Sequence, residues 1–208
     1  MSYNLPHIFR TAFGINAPIY LADVYSSNDS NGKAIYSDVS VVKAQQAEKL
    51  SWMGTPIMFP IVFKGGTYKK YNPKGELVGK DFQDFDMPAT SLVDFSRAKN
   101  ITRTDVLGSN GTVKEIYGFD DWSIRIRGLC LNEPRFRTAT EQKERLLEFE
   151  NIAGSIDVLG SLFIEKGIHA ITIESIDFQQ VQGKPDVIPF EIRAISDEPL
   201  LLTLEEFE

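Results

Sequence analysis

A chain of 208 residues with 42% hydrophobic and 25% charged side chains can bury a self-sufficient core, without disulfides or metal. The net charge of −7 argues against nucleic acid as the main partner, because phosphate binding needs concentrated Lys and Arg. The one cysteine, Cys130, excludes an intramolecular disulfide and fits a reducing compartment.

Met1–Pro6 lacks the charged-then-apolar pattern of a signal peptide, and no apolar run nears the ~20 residues that span a bilayer. The expected setting is the cytoplasm, or a particle assembled there, with no membrane partner. Residues 1–98 read as an irregular N-terminal arm plus a β-hairpin region. Ile8, Phe9, Phe13, Ile19, Tyr20 and Leu21 are apolar but scattered among breakers, so this arm is expected to seek a neighbouring surface. Ser26–Gly32 is a polar loop, and Val41–Leu50 reads as a short helix. Met58–Phe63 reads as a strand held to a sheet edge by Pro60. Gly65-Gly66 turns the chain, Thr67–Tyr71 pairs back, and Asn72–Gly75 turns it again.

Residues 99–200 read as a β-rich core domain with one helix. Ile101–Val106 and Thr112–Tyr117 are strands around a Gly108–Gly111 hairpin turn, and Gly118–Asp121 reads as a second turn. In Trp122–Leu131, Trp122, Ile124, Ile126, Gly128 and Cys130 alternate with Ser123, Arg125 and Arg127, the period of a half-buried strand. Trp122 is expected in the middle of the core. Thr138 and Glu141 form a capping-box signature for a helix whose stripe is Leu146, Leu147, Phe149, Ile152 and Ala153, stopped by Gly154. Ile156–Ile164 and Ile168–Phe178 read as strands around Lys166-Gly167, and Ile188–Ala194 closes the domain. The predicted fold is mostly β (α+β): an antiparallel sheet, or small sandwich or barrel, with one helix packed on it. Residues 201–208 form an acidic, apolar C-terminal tail.

His7 and His169 are isolated, so no metal site is expected. Cys130, on an apolar strand face, reads as a small hydrophobe rather than a nucleophile. A glycosidase pair would have to come from Asp81, Asp84, Asp86, Asp120, Asp121, Glu141, Glu144, Glu148 and Glu150, but turn chemistry or a solvated helix face already explains them. No glycine-rich stretch leads into a phosphate-loop motif. No catalytic residue, cofactor or small-molecule substrate is expected. Arg125 and Arg127, with Arg135 and Arg137 beyond, form the one dense basic cluster. A solvated face balanced by local acids is the commoner explanation of such a cluster; contact with an acidic neighbouring subunit, or less commonly with DNA, is the functional one. Leu200, Leu202, Leu204 and Phe207 are apolar side chains in the acidic tail that could dock on that face in another copy.

The stretch from Asn110 to Gly128, the strand pair from Leu159 to Ile173, and Pro189–Ile192 with Ser196–Pro199 resemble an uncharacterised family of tail proteins common in phages and prophages of Bacteroidetes. The resemblance covers about residues 95–200 and rests on a turn-and-strand pattern, not a catalytic motif. It implies a structural virion protein, a ring or adaptor subunit of the baseplate, hub or distal tail, with a homo-oligomeric ring and other tail subunits as partners. It carries over no active-site residues. Two rivals stand beside it. A cell-wall or host-receptor binder would need an exposed aromatic patch from Tyr68, Tyr71, Phe82 and Phe85. A peptidoglycan hydrolase would need a cleft with paired carboxylates.

Overall fold

A computed structural model describes residues 5–14, 49–50, 56–57, 59–72, 74–108, 110–133, 137–181 and 186–198. In chain order the elements are α1 (Leu5–Phe13), β1 (Lys49–Leu50), β2 (Pro56–Ile57), β3 (Val62–Phe63), β4 (Gly66–Tyr71), β5 (Leu77–Phe82), β6 (Phe85–Asp86) and β7 (Leu92–Asp105). There follow β8 (Thr112–Leu131), α2 (Ala139–Glu150), β9 (Ile156–Leu159), α3 (Ser161–Glu165), β10 (Ala170–Phe178) and β11 (Val187–Ser196). Ser26–Gly32, most of Val41–Leu50, Arg135 and the segment 199–208 lie outside the described residues.

Seven strands form one sheet in the order β6-β3-β9-β10-β11-β8-β7. Every pairing in it is antiparallel. The prediction of a mostly β fold built on an antiparallel sheet therefore holds, with the short helices α1 and α3 beside the expected α2. Alternation explains its centre. Ile124, Ile126, Gly128 and Cys130 of β8 are buried, while Ser123 and Arg125 face out. Phe190, Ile192 and Ala194 of β11 bury on the same sheet. Gly128 has to be glycine: a Cβ there would sit 2.6 Å from the Phe190 ring. Buried Cys130 has its thiol pushed up to about 12 by loss of solvent, which makes it an inert packing group.

The core forms where α2 and the β4–β5 hairpin cover this sheet. Thr138 caps α2 by accepting from the Glu141 N–H, and Glu141 accepts from the Thr138 N–H, completing the predicted capping box. The buried Gln142 Nε2 donates to the Leu131 carbonyl and ties α2 to the end of β8. Phe149 is the hub. Its ring lies 5.3–5.9 Å from those of Phe63, Phe82 and Phe85, so one helical side chain joins three strands. A bridge between Lys70 and Ile152 locks the hairpin to the end of α2.

Several local expectations are corrected. Lys49-Leu50, the end of the expected helix, form a strand with Pro56-Ile57. β3 lies inside the sheet between β6 and β9, with Pro60 before it, so proline does not hold it to an edge. Thr67–Tyr71 pairs forward with β5 across the Asn72–Gly75 turn, and β5 itself was not foreseen. Gly118–Asp121 is no turn but part of the continuous β8. Two extra residues on β8 are absorbed as bulges between Arg97 and Ile101, and Gly118 takes the φ of +130° that one of them requires. Ser161–Glu165 is helix rather than strand, with Phe163 buried beneath it. Trp122 is half-buried at the rim of the core, where β8 leaves the body, rather than at its centre.

Two observations bear on the N-terminal region. β7 runs straight through residue 98, and Phe63, Phe82, Phe85 and Met87 belong to the main core. Ile8 and Phe9 of α1 are buried against the chain's own Leu129, Leu131 and Val187. These two side chains are therefore satisfied internally; Ile19, Tyr20 and Leu21 lie outside the described residues.

Replacing Phe149 by Ala should cost about 3–5 kcal/mol in urea unfolding, because the cavity would open among three rings on separate strands. A variant as stable as the parent would show that the rings are not the centre of the core.

Candidate assembly interface

The body of the sheet covers only part of its two longest strands. β11 pairs with β8 from Ser123 to Leu131, and β7 runs beside that stretch from Leu92 to Arg97. Beyond it the two strands pair with each other alone, out to Asp105 and Thr112. This is a two-stranded ribbon with both faces in solvent: from Ser96 to Leu107, and from Val113 to Tyr117, every residue is exposed.

The ribbon's composition is unusual for so exposed an element. Ile101 and Ile116 are directly paired across it, and Ile116, Tyr117 and Phe119 are 64%, 69% and 59% exposed. Val113 adds another aliphatic, and at the tip Val106 is exposed and Leu107 fully so. Single exposed apolar side chains need no explanation, but a run of seven on one projecting element marks a contact surface. Among the described residues no strand pairs with the ribbon's edges, and long unpaired edges invite strand pairing.

The base of the ribbon is braced. The Arg97 guanidinium lies 5.0 Å from the Phe119 ring and 5.3 Å from the Trp122 ring, and its Nε donates to the Asp120 carbonyl. Lys99 adds a cation over Phe119 from the other side of the bulge. Phe95 packs edge-on against Trp122 and Phe163, carrying this brace into the core.

The sequence-predicted interface residues fare differently. Arg125 Nη2 binds Glu191 Oε2 at 2.7 Å, and Arg193 Nε binds the other oxygen at 3.1 Å. Arg127 is paired with Asp94, and Arg137 with Glu133. Acids of the same sheet and loop neutralise these arginines. Leu200, Leu202, Leu204 and Phe207 lie outside the described residues. The ribbon residues were legible as two ordinary strands; their exposure was missed because Gly118–Asp121 reads as a turn that would fold them back.

The groups weighed for other chemistries have structural roles here. Phe82 and Phe85 are core residues and Tyr68 is half-buried, which leaves Tyr71 as the one exposed member of the expected aromatic patch. Glu148 bridges Lys80 and Arg145, and chiefly the Lys80 hydrogen bond holds its carboxyl below the usual range. Asp81 accepts from Thr67, and Asp84 from the Gly65 N–H. Among the described residues no three His, Cys, Asp or Glu side chains converge as a metal site would require, and no helix is long and apolar enough to cross a membrane.

The fold and this surface define a β-sheet protein with a projecting two-stranded arm. Residues 86–207 match the family model described as a domain of unknown function, DUF6046, and the chain belongs to that family. No curated protein is similar in sequence. Among solved structures, a chain from the tail of an empty gene transfer agent (GTA) particle is 18% identical, with a TM-score of 0.35, over 66% of this chain and 95% of that one. A chain from the virion of a native GTA particle is 15% identical, with a TM-score of 0.34, over 64% and 92%. TM-scores at this level establish neither a shared fold nor a shared role.

The Arg125–Glu191–Arg193 cluster makes a pH prediction. The Arg125 hydrogen bond, ahead of the opposing effect of burial, lowers the Glu191 pKa below its ordinary value. Its contribution to stability is therefore full above the usual carboxylate pKa of about 4.3 and is lost as pH falls through the folded-state value. Glu191→Gln should flatten that acid limb in denaturation measured from neutral to acid pH. An unchanged limb would mean that the cluster contributes nothing.

Proposed function

We propose that this chain is a structural subunit of a bacteriophage tail, a ring or adaptor component that works through contacts with copies of itself and with other tail subunits. The observation that carries the reading is the β7–β8 ribbon. It is a projecting element, braced at its base, with seven exposed apolar residues, and outside the body its two strands pair with no other described strand. Burying such side chains against a neighbour would stabilise an assembly by roughly 1.5–3 kcal/mol for each one fully covered. The turn-and-strand pattern resembling phage tail proteins covers this same element, from Asn110 onward.

In this reading the ribbon takes the role first assigned to the Arg125 and Arg127 face, whose charges are already answered. The apolar residues Leu200, Leu202, Leu204 and Phe207 of the acidic tail remain a proposed second contact element. Assembly takes place in the host cytoplasm and the product is part of the virion. Of the aromatic residues named for the receptor-binding alternative, Phe82 and Phe85 are buried and Tyr71 is exposed.

Ile116→Asp tests the reading. Being exposed, the position should change unfolding stability by no more than about 0.5 kcal/mol. Sedimentation should show weaker self-association, and complementation should show poor incorporation into particles. Normal incorporation of a folded Ile116→Asp protein would remove the ribbon from the account.

A further inference from the structure

From Thr112 to Asp121, β8 has β7 on one side and, among the described residues, no strand on the other. Such an edge takes an extended segment by backbone hydrogen bonds, and the side chains in line with it set which segment fits. Two directly opposed pairs share one face of the ribbon. Ile101 faces Ile116 and, one step nearer the tip, Arg103 faces Lys114. Opposed like charges are unfavourable in a ribbon, and neither cation forms an ion pair with a described residue. The edge therefore fits a strand with an aliphatic side chain and, two residues on, a carboxylate.

We propose that the acidic tail of a second copy adds to this edge as an antiparallel third strand, with Leu204 opposite Ile116 and Glu206 opposite Lys114. The proposal rests on the assembly reading above and names what the tail and the ribbon contact. Leu204-Glu205-Glu206 has the required spacing. The aliphatic row then reads Ile101–Ile116–Leu204, and the charged row Arg103–Lys114–Glu206, with a carboxylate beside the two cations. On the reverse face Phe207 meets Val113, which is 51% exposed. Glu205 meets Glu115, which already accepts from the Tyr117 hydroxyl, and this is the unfavourable pair of the arrangement.

Register selects another copy over the tail's own ribbon. β11 leads into the tail beside β8, so its pairing dictates what a continued strand would meet. Ile195 faces Ser123, and the Trp122 N–H is taken by the Ser196 hydroxyl at 2.9 Å. Continued in that register, Asp197 meets Asp121, Glu198 meets Asp120, and Leu204 meets Lys114. Acids then oppose acids, the two cations gain an aliphatic neighbour, and Pro199 has no N–H to add to the ladder. The favourable match lies two residues out of step with this continuation. A tail arriving from another copy is free to adopt it, and leaves Asp197 and Glu198 on its own body. Tail and ribbon edge are different surfaces, so the contact propagates from copy to copy, as a ring if the rotation closes and a filament if it does not.

Charge exchange between two full-length proteins tests this. Glu206→Lys and Lys114→Glu proteins are purified separately, checked for parental thermal unfolding, and compared with the parent by sedimentation. Each alone should self-associate about tenfold more weakly, because each sets like charges across the contact. Mixed, the two should regain parental association, since every tail can then meet a ribbon of opposite charge. Glu205→Lys, which turns the Glu115 contact favourable, should associate at least as tightly as the parent. If Lys114→Glu does not fold, Arg103→Glu replaces it. An unrestored mixture would overturn the proposal, and recovery only when both changes are in one chain would place the tail on its own ribbon. Equal weakening by Glu205→Lys and Glu206→Lys, the mark of a diffuse attraction for acid, would overturn it too. So would variants that all associate as the parent does. A parent that is monomeric at every concentration would overturn the assembly reading as well.

Discussion

The structure turns on a mismatch of length. β7 and β8 run for 14 and 20 residues, and the body of the sheet covers only the inner part of each. A sheet is stable where a face can be buried, and here burial ends near Phe95 and Trp122. Beyond that line the strands have only each other. A two-stranded ribbon is marginally stable in water by itself, so this one depends on its attachment to the core. The bulges, the Arg97 brace and the Phe95–Trp122 contact are all at the point where the ribbon leaves the body. The Phe149 cluster supplies the rigid base that makes a projecting arm possible.

Charge is distributed in keeping with this division. On the body, arginines are matched by acids: Arg125 and Arg193 by Glu191, Arg127 by Asp94, Arg137 by Glu133. Such pairs add little net stability when exposed, but they neutralise the arginines of this face. On the ribbon, Arg103 and Lys114 face each other and form no ion pair with any described residue. Along the ribbon from Arg97 to its cross-strand partner Trp122, the four basic residues are matched in number by Asp105, Glu115, Asp120 and Asp121. Among the described residues the ribbon also carries the most exposed aliphatic side chain, Leu107, and that property calls for an external partner.

Some of this was legible in the sequence. The Thr138–Glu141 capping box, the alternation of Ile124, Ile126 and Cys130, and the final strand through Phe190 and Ile192 depend on local chemistry or a strict period, and the structure reproduces them. Gly118-Phe119-Asp120-Asp121 satisfies turn chemistry just as well as it satisfies a bulge. What decides between them is pairing with Arg97–Ile101, which are near in space but distant in sequence. That single ambiguity concealed the ribbon. β3 and β6 were hard to read because two-residue strands have no period, so Phe85 looked like a surface aromatic. Ser161–Glu165 belongs to an apolar run too short to separate helix from strand by pattern.

The most direct test of the central claim, that the ribbon is free in the monomer and covered in the assembly, is amide hydrogen exchange in both states. In the monomer, Ile101–Asp105 and Thr112–Tyr117 should exchange far faster than Ile124–Leu131, because only the latter are pinned to the core. In the assembled state the ribbon amides should become protected. Ribbon amides that exchange equally fast in both states would contradict the account.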